Sequence, residues 1–188
     1  MKHSMKSAAF TLAEILVVVM ILGITAALII PQLSNANDLN AAAAGRVVLA
    51  DLTYAQNTAI TTQRMHYVRF TAGAASDTYT VLSAVSPTEQ LVAHPITQGP
   101  FRQTLGAGGS SGLTRARLGT LSIGGVAGAN TIAFDSLGSP YVYTAANGLV
   151  ALSDAATIDI ACGEFSIRLT VAPFTGEFTA AAVAASGG

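Results

Sequence analysis

A chain of 188 residues has room for one N-terminal segment and one domain of ordinary size. Only 10% of its residues are charged and the formal net charge is −1, so the overall charge does not favour nucleic acid or anionic lipid as a partner. The single cysteine, Cys162, excludes an intramolecular disulfide and is most simply a small buried apolar residue.

The N-terminal segment from Ala8 to Pro31 is apolar over nearly its whole length and carries one carboxylate, Glu14, near its start. As a helix, Phe10 to Ile30 would measure about 31 Å, close to the roughly 30 Å hydrocarbon core of a bilayer. Only Thr25 interrupts the apolar run that follows Glu14. The pattern therefore favours a membrane-spanning helix over a buried core helix, which should have one polar stripe.

A secretory signal peptide is the competing interpretation, because basic residues precede the apolar run and Ser34 to Ala36 suits a cleavage site. Glu14 speaks against it, since an acidic residue at the centre of a membrane helix costs about 2.5 to 3.5 kcal/mol. The carboxylate can complete a capping box with Thr11, or it can await a partner on another chain. Lys2 and Lys6 would hold the N-terminus in the cytoplasm.

The stretch from Ala9 to Glu14 (AFTLAE), followed by the apolar run, resembles the N-terminal signal of type IV pilins and pseudopilins. The resemblance implies a leader peptide of residues 1–9, cleavage by prepilin peptidase between Ala9 and Phe10, and N-methylation of Phe10. Glu14 would be the fifth residue after the cut and the filament-assembly contact, paired with the amine of Phe10 in a neighbouring subunit. Ala9 stands where the family usually has glycine.

A second helical segment is expected from Asp38 to Met65, because apolar residues recur there at helical spacing. Pro31 is predicted to kink the join between the two segments without ending the helix. We therefore expect one long helix, with residues 10–31 as its transmembrane half and 32–65 as its amphipathic soluble half. Alternatively, Ser34 to Asn40 is a linker between two helices. The apolar positions are Val48, Leu52, Ala55 and Ala59.

Residues 66–180 change to an alternating pattern, which predicts a β-rich globular domain. Residues 86–112 should be loop with at most an edge strand at 90–93, and 181–188 a flexible tail. The expected fold class is α+β and pilin-like, with the long N-terminal helix packed on an antiparallel sheet. The expected strands are 66–71, 78–83, 115–123, 131–134, 140–143, 149–152, 157–161, 165–171 and 177–179.

Two turns, within 132–140 and 170–176, resemble hairpin segments of the minor pseudopilin H family of type II secretion, as does Asp51 to Asn57 (DLTYAQN). The glycines of the two turns are suited to positive φ, and the aspartate side chain can bond nearby backbone. The structural turn residues are Asp135, Gly138, Pro173 and Gly176.

The sequence patterns that could indicate a catalytic, metal or ligand-binding site are weak. The glycine-rich stretches 106–112 and 124–128 precede no helix that could receive a phosphate, and the histidines and Cys162 lack metal-ligand spacing. Arg115 and Arg117 could face a nucleic-acid phosphate from one strand, but a solvated sheet face is the better interpretation. We expect a non-enzyme with no catalytic residue, metal, cofactor, small-molecule substrate or nucleic-acid partner.

The resemblance implies a minor pseudopilin at or near the tip of the periplasmic pseudopilus of a type II secretion system. The expected partners are prepilin peptidase, other pseudopilins or pilins through the N-terminal helix, and inner-membrane lipid. The expected localisation is single-pass in the inner membrane, with a cytoplasmic N-terminus, a periplasmic domain and incorporation into the filament. Alternatives are a minor pilin of a type IV pilus, for initiation, adhesion or DNA uptake, and a secreted β-rich binding domain.

Overall fold

The computed structural model describes the backbone of residues 11–33, 36–85, 88–110 and 112–184, and side chains over 11–25, 37–85, 88–110 and 112–183. The chain divides into two compact units, Met1–Ala36, here the N-terminal unit, and Asn37–Gly188, here the sheet unit. Helix α1 (Leu12–Leu33) belongs to the first. Helix α2 (Ala36–Thr62) leads into the second.

The strands of the sheet unit form two antiparallel sheets. The large sheet has seven strands in the order β3-β2-β1-β6-β7-β8, with β4 also paired to β2, and the small sheet has the order β11-β10-β9-β5. The strands are β1 His66–Thr71, β2 Ser76–Ala84, β3 Gln90–Leu91, β4 Arg102–Gly106, β5 Arg117–Ser122, β6 Thr131–Phe134, β7 Pro140–Thr144, β8 Gly148–Ala151, β9 Ala156–Cys162, β10 Phe165–Val171 and β11 Phe178–Ala184.

One face of α2 closes the core of the sheet unit. Its buried residues join the same apolar cluster as Ile132 of the large sheet and Ile158 of the small sheet. Small side chains let the helix approach closely: a Cβ added at Gly45 would lie 2.9 Å from Ile167 Cγ2 on β10. The predicted face is confirmed, and the fully buried positions are Ala41, Ala44, Val48, Leu52, Ala55 and Ala59.

An ion pair between buried Asp77 and the partly exposed Arg117 joins the two sheets. Asp77 of β2 accepts hydrogen bonds from the Nε of Arg117, at 2.9 Å, and from the backbone N–H of Leu118, at 2.7 Å, both on β5. The backbone N–H of Gly73 also donates to this carboxylate. Burial alone would raise the pKa of Asp77, but these hydrogen bonds and the guanidinium charge outweigh it and hold the pKa below its usual value.

The predicted fold class is wrong. Strands account for about 41% of the residues, and two separate helices replace the single long N-terminal helix that was expected to pack on a sheet domain. The helical patterns on either side of Pro31 predict one continuous helix. In the structure α1 extends past Pro31 to Leu33 within one unit, whereas α2 is an integral part of the core of the other.

The predicted membrane segment is also corrected. Among the described residues, none of the helices has the combination of length and apolarity that a membrane span requires. Glu14 and the Pro31-Gln32 pair limit the apolar run to Ile15–Ile30, which is shorter than the about 20 residues of a typical span. The transmembrane helix, the inner-membrane assignment and the single-pass localisation with a periplasmic domain were therefore wrong.

Candidate functional site

The described part of α1, from Leu12 to Thr25, exposes apolar side chains on every face. Thr11 caps the helix, because its Oγ1 and its carbonyl both accept the backbone N–H of Glu14, at 3.2 and 3.1 Å. The large apolar side chains that follow are between 46% (Val18) and 83% (Leu12) exposed. Since eight of them, 15–22, are consecutive, they point in all directions around the axis.

The two polar side chains of this helix between Leu12 and Thr25 have different surroundings. The hydroxyl of Thr25 donates back to the carbonyls of Ile21 and Leu22, at 3.0 Å each, so it needs no outside partner. The carboxylate of Glu14 is exposed and forms no ion pair within the described part of the chain. The first half of the predicted capping box is present, and the carboxylate is left available for another molecule.

Asp135 organises the turn between β6 and β7. Its Oδ1 accepts the backbone N–H groups of Leu137, at 2.9 Å, and Ser139, at 2.8 Å, as the sequence predicts. Gly138 has a φ of 84°, a conformation that a residue with a Cβ rarely adopts. The side chain thus takes over the backbone hydrogen bonds of a tight turn.

The turn between β10 and β11 lies against the first turn. It begins at Pro173, whose carbonyl accepts the N–H of Thr175, and it contains Gly176 with a φ of 67°. A Cβ at Gly176 would lie 2.6 Å from the carbonyl oxygen of Gly138 and 2.5 Å from the Nε2 of Gln56. The two turns that share the family resemblance are therefore in contact.

Gln56 of α2 connects both turns. Its Nε2 donates to the carbonyl of Gly138 at 2.9 Å and to the carbonyl of Gly176 at 3.1 Å. The residue lies in the DLTYAQN stretch of α2, and its sequence neighbourhood predicts no role for it. The bonds span 82 and 120 positions, so no local pattern could have indicated them.

Asp51, in the same stretch, was also missed. Its Oδ2 accepts the hydroxyl of Tyr79 at 2.6 Å. Burial raises the pKa of Asp51, although the bonds from Tyr79 and Gln103 and the nearby charge of His94 act in the opposite direction. The pKa of Tyr79 is raised by its own burial and by Asp51, so the phenol keeps its proton. A partly buried carboxyl group with a raised pKa is thus held at the edge of the core.

Other candidate residues have structural positions. Cys162 is buried, and burial raises the pKa of its thiol. Arg117 bonds Asp77, while Arg115 precedes β5, so the two arginines do not share a strand face as supposed. Over the residues whose side chains are described, no three His, Cys, Asp or Glu residues are grouped as metal ligands. Ala9 and Phe10 lie outside the described residues.

No family model, curated protein or solved structure matches this chain.

Proposed function

We propose that this chain is a minor pseudopilin, a structural subunit of the pseudopilus of a type II secretion system, and that α1 is the element through which it joins the filament. The observation that carries this proposal is the exposed apolar surface of α1 on all its faces. A helix of this kind is stable in water only when other elements cover it.

Helices from neighbouring subunits fit this requirement. Each large apolar side chain that passes from exposed to buried contributes about 1.5 to 3 kcal/mol, so a bundle of such helices gains a large favourable free energy. A single neighbour covers one side of α1. In a filament core, each helix is surrounded by several others, so all sides of α1 are covered.

Glu14 supplies the register of this assembly. A carboxylate among packed apolar helices is costly unless it is paired, and it has no ion-pair partner within the described part of its own chain. The family resemblance names the partner as the amine of Phe10 in an adjacent subunit, which prepilin peptidase would generate. Only one stagger of two neighbouring helices brings these groups together.

Incorporation into filaments tests the proposal. The chain is co-produced with the other pseudopilins of a secretion system, filaments are sheared and collected, and the fraction of chain in them is measured. Glu14→Gln should reduce this fraction strongly, because removal of one partner from a buried ion pair costs about 3 to 5 kcal/mol. Glu164→Gln, the same change at an exposed turn of the sheet unit, is the matched control and should have no effect.

The mature N-terminus gives a second readout. A chain that starts at N-methylated Phe10 is expected, whereas a start near Asn37 would support a secreted binding domain and contradict the proposal. Wild-type incorporation of Glu14→Gln would contradict the role of Glu14. Incorporation only into filaments of type IV pilins would assign the chain to a pilus instead.

A further inference from the structure

A pocket of about 370 Å³ lies beside α2, where the helix meets the segment from His94 to Gln103. Polar groups from three elements converge there: Asp51 from α2, His94 from the segment that follows β3, and Gln103 from β4. Tyr79 of β2 supports the Asp51 carboxylate from the core side. The pocket lies apart from the two turns bonded to Gln56.

Asp51 is the only acidic residue among those that line this pocket, and it forms no ion pair within the described part of the chain. No cationic side chain comes within 4.0 Å of its carboxylate there. The bond from the Tyr79 hydroxyl supplies a proton donor but no positive charge. A partly buried carboxylate in this position favours a cation that can enter from outside.

Arg102 also borders the pocket, but its side chain belongs to the other face of β4. Gln103 and Tyr79 are register partners on adjacent strands, so their side chains share the face that looks toward Asp51. Successive strand residues alternate in direction, which turns the side chain of Arg102 away from that face. Of Asp51 and Arg102, it is therefore Asp51 that lies on the side of Gln103 and Tyr79.

His94 fixes the opposite wall. Its Nδ1 accepts the backbone N–H groups of Ile96 and Thr97, at 3.2 and 3.3 Å, which places the ring proton on Nε2. Nε2 lies 3.4 Å from the side-chain amide of Gln103, and the ring packs on Phe101 with 4.6 Å between centroids. The two bonds to Nδ1 and the packing on Phe101 hold the imidazole in one orientation.

The remaining wall is apolar and leads from Asp51 to the surface. It is formed by Val47, Pro100 and Ile96, of which Ile96 is 85% exposed at the mouth. Lysine and arginine side chains bind in this manner, with the methylene stem along an apolar surface and the charged head on a carboxylate. The wall has the chemistry to accept such a stem.

From this geometry we infer that the pocket binds an alkylammonium or alkylguanidinium group, with its charged head on Asp51 and its methylene stem along Val47, Ile96 and Pro100. The group can belong to a free small amine or to a lysine or arginine side chain of a protein partner. This site is independent of the filament role proposed for α1.

Histidine NMR of the full chain tests this inference. The protein is labelled at histidine and titrated with n-butylammonium chloride, with 1-butanol as the uncharged probe of similar shape, and with an end-blocked Gly-Lys-Gly peptide. We expect a saturable shift of the His94 signals with n-butylammonium and none with 1-butanol. His66 is buried elsewhere and bonded to the carbonyl of Arg64, so its signals are an internal control.

Two pairs of variants locate the binding. Asp51→Asn should weaken it by about tenfold or more, the factor given by the loss of one charge-assisted contact, while Asp154→Asn should not change it. Because Asp51→Asn can disturb the bond to Tyr79, Ile96→Lys provides a second variant at an exposed site. It places a positive charge at the mouth and should weaken binding, whereas Leu137→Lys, at a residue 82% exposed elsewhere, should not.

The outcomes are distinct. A response to the peptide without a response to n-butylammonium would support the site and assign the cation to a protein partner. Equal shifts with 1-butanol, shifts that persist in both Asp51→Asn and Ile96→Lys, or no saturable shift with either cationic probe would overturn the inference. None of these results depends on whether the chain enters a filament.

Discussion

The two helices differ in how their apolar surfaces are covered. On α2, one face of small and medium side chains is buried in the cluster that joins both sheets, and the outer side mixes polar residues with exposed Leu39 and Ile60. On α1, the large apolar residues of the described part are exposed on all sides. Burial on folding therefore accounts for α2, whereas the exposed apolar residues of α1 are the surface that the proposed filament contacts would cover.

The largest expected contrast comes from equivalent leucines on the two helices. Leu52→Ala on α2 removes a fully buried side chain and should lower the free energy of unfolding by about 2 to 5 kcal/mol. Leu16→Ala on α1, where the leucine is 61% exposed, should change it by less than about 0.5 kcal/mol. Chemical denaturation of the sheet unit, followed in the full chain, measures both. Equal effects of the two substitutions would contradict the difference in burial between the two helices.

Glycine substitutions sharpen the comparison at the turns that α2 holds. Gly176→Ala introduces a Cβ that meets Gln56 and Gly138 at 2.5 and 2.6 Å, in addition to its left-handed backbone, and should cost about 2 to 4 kcal/mol. Gly148→Ala has a similar φ of 66° but open space around the new atom. It should cost only the backbone term of about 1 to 2 kcal/mol. A comparison of the thermal unfolding of the two variants separates the cost of the steric contact from the cost of the backbone strain.

Removal of the Gln56 amide should have a smaller effect. Gln56→Ala loses two hydrogen bonds to backbone carbonyls and should lower the free energy of unfolding by about 1 to 2 kcal/mol. Asn57→Ala, at the exposed neighbouring position, is the control and should be close to neutral. A neutral Gln56→Ala variant would show that the turns keep their positions without the helix.

The smallest expected effect is the acid sensitivity of the contact between the sheets. The folded pKa of Asp77 lies below its unfolded value, so the unfolded state binds more protons as the pH falls. The contribution of Asp77 is therefore present above the unfolded value of about 3.9 and is lost as the pH falls through the folded pKa. The free energy of unfolding is measured from neutral pH to pH 3 or below. In the Asp77→Asn variant it should fall less steeply with decreasing pH than in the wild type. An unchanged acid profile would contradict the assignment.

Local patterns predicted much of the sheet unit. The bounds of β1, β6 and β10 agree with the sequence analysis, and the turn chemistry of Asp135, Gly138 and Gly176 follows from their residue types. The buried face of α2 was also correct, because Val48, Leu52, Ala55 and Ala59 recur at helical spacing. These features depend on a few neighbouring residues, so the sequence contains their signal directly.

Features that depend on distant contacts were missed. β4 (Arg102–Gly106) lies between Pro100 and a glycine-rich stretch and was expected to be loop, yet it forms a strand because β2 pairs with it. β11 continues to Ala184, beyond the predicted end at 179, because β10 offers partners along its whole length. The Asp51 pocket likewise requires α2, β2 and β4 to be placed together, and none of these pairings has a local signature.

The Gln56 amide has a consequence for how the molecule opens. The turn after β6 belongs to the large sheet and the turn after β10 to the small sheet, but a single side chain bonds a carbonyl in each. Disorder in one turn would leave one of the two hydrogen bonds from the Gln56 amide without its acceptor and would loosen the other turn. Amide hydrogen exchange at these two turns should therefore be correlated, so that the ends of two separate sheets fluctuate as one cooperative unit.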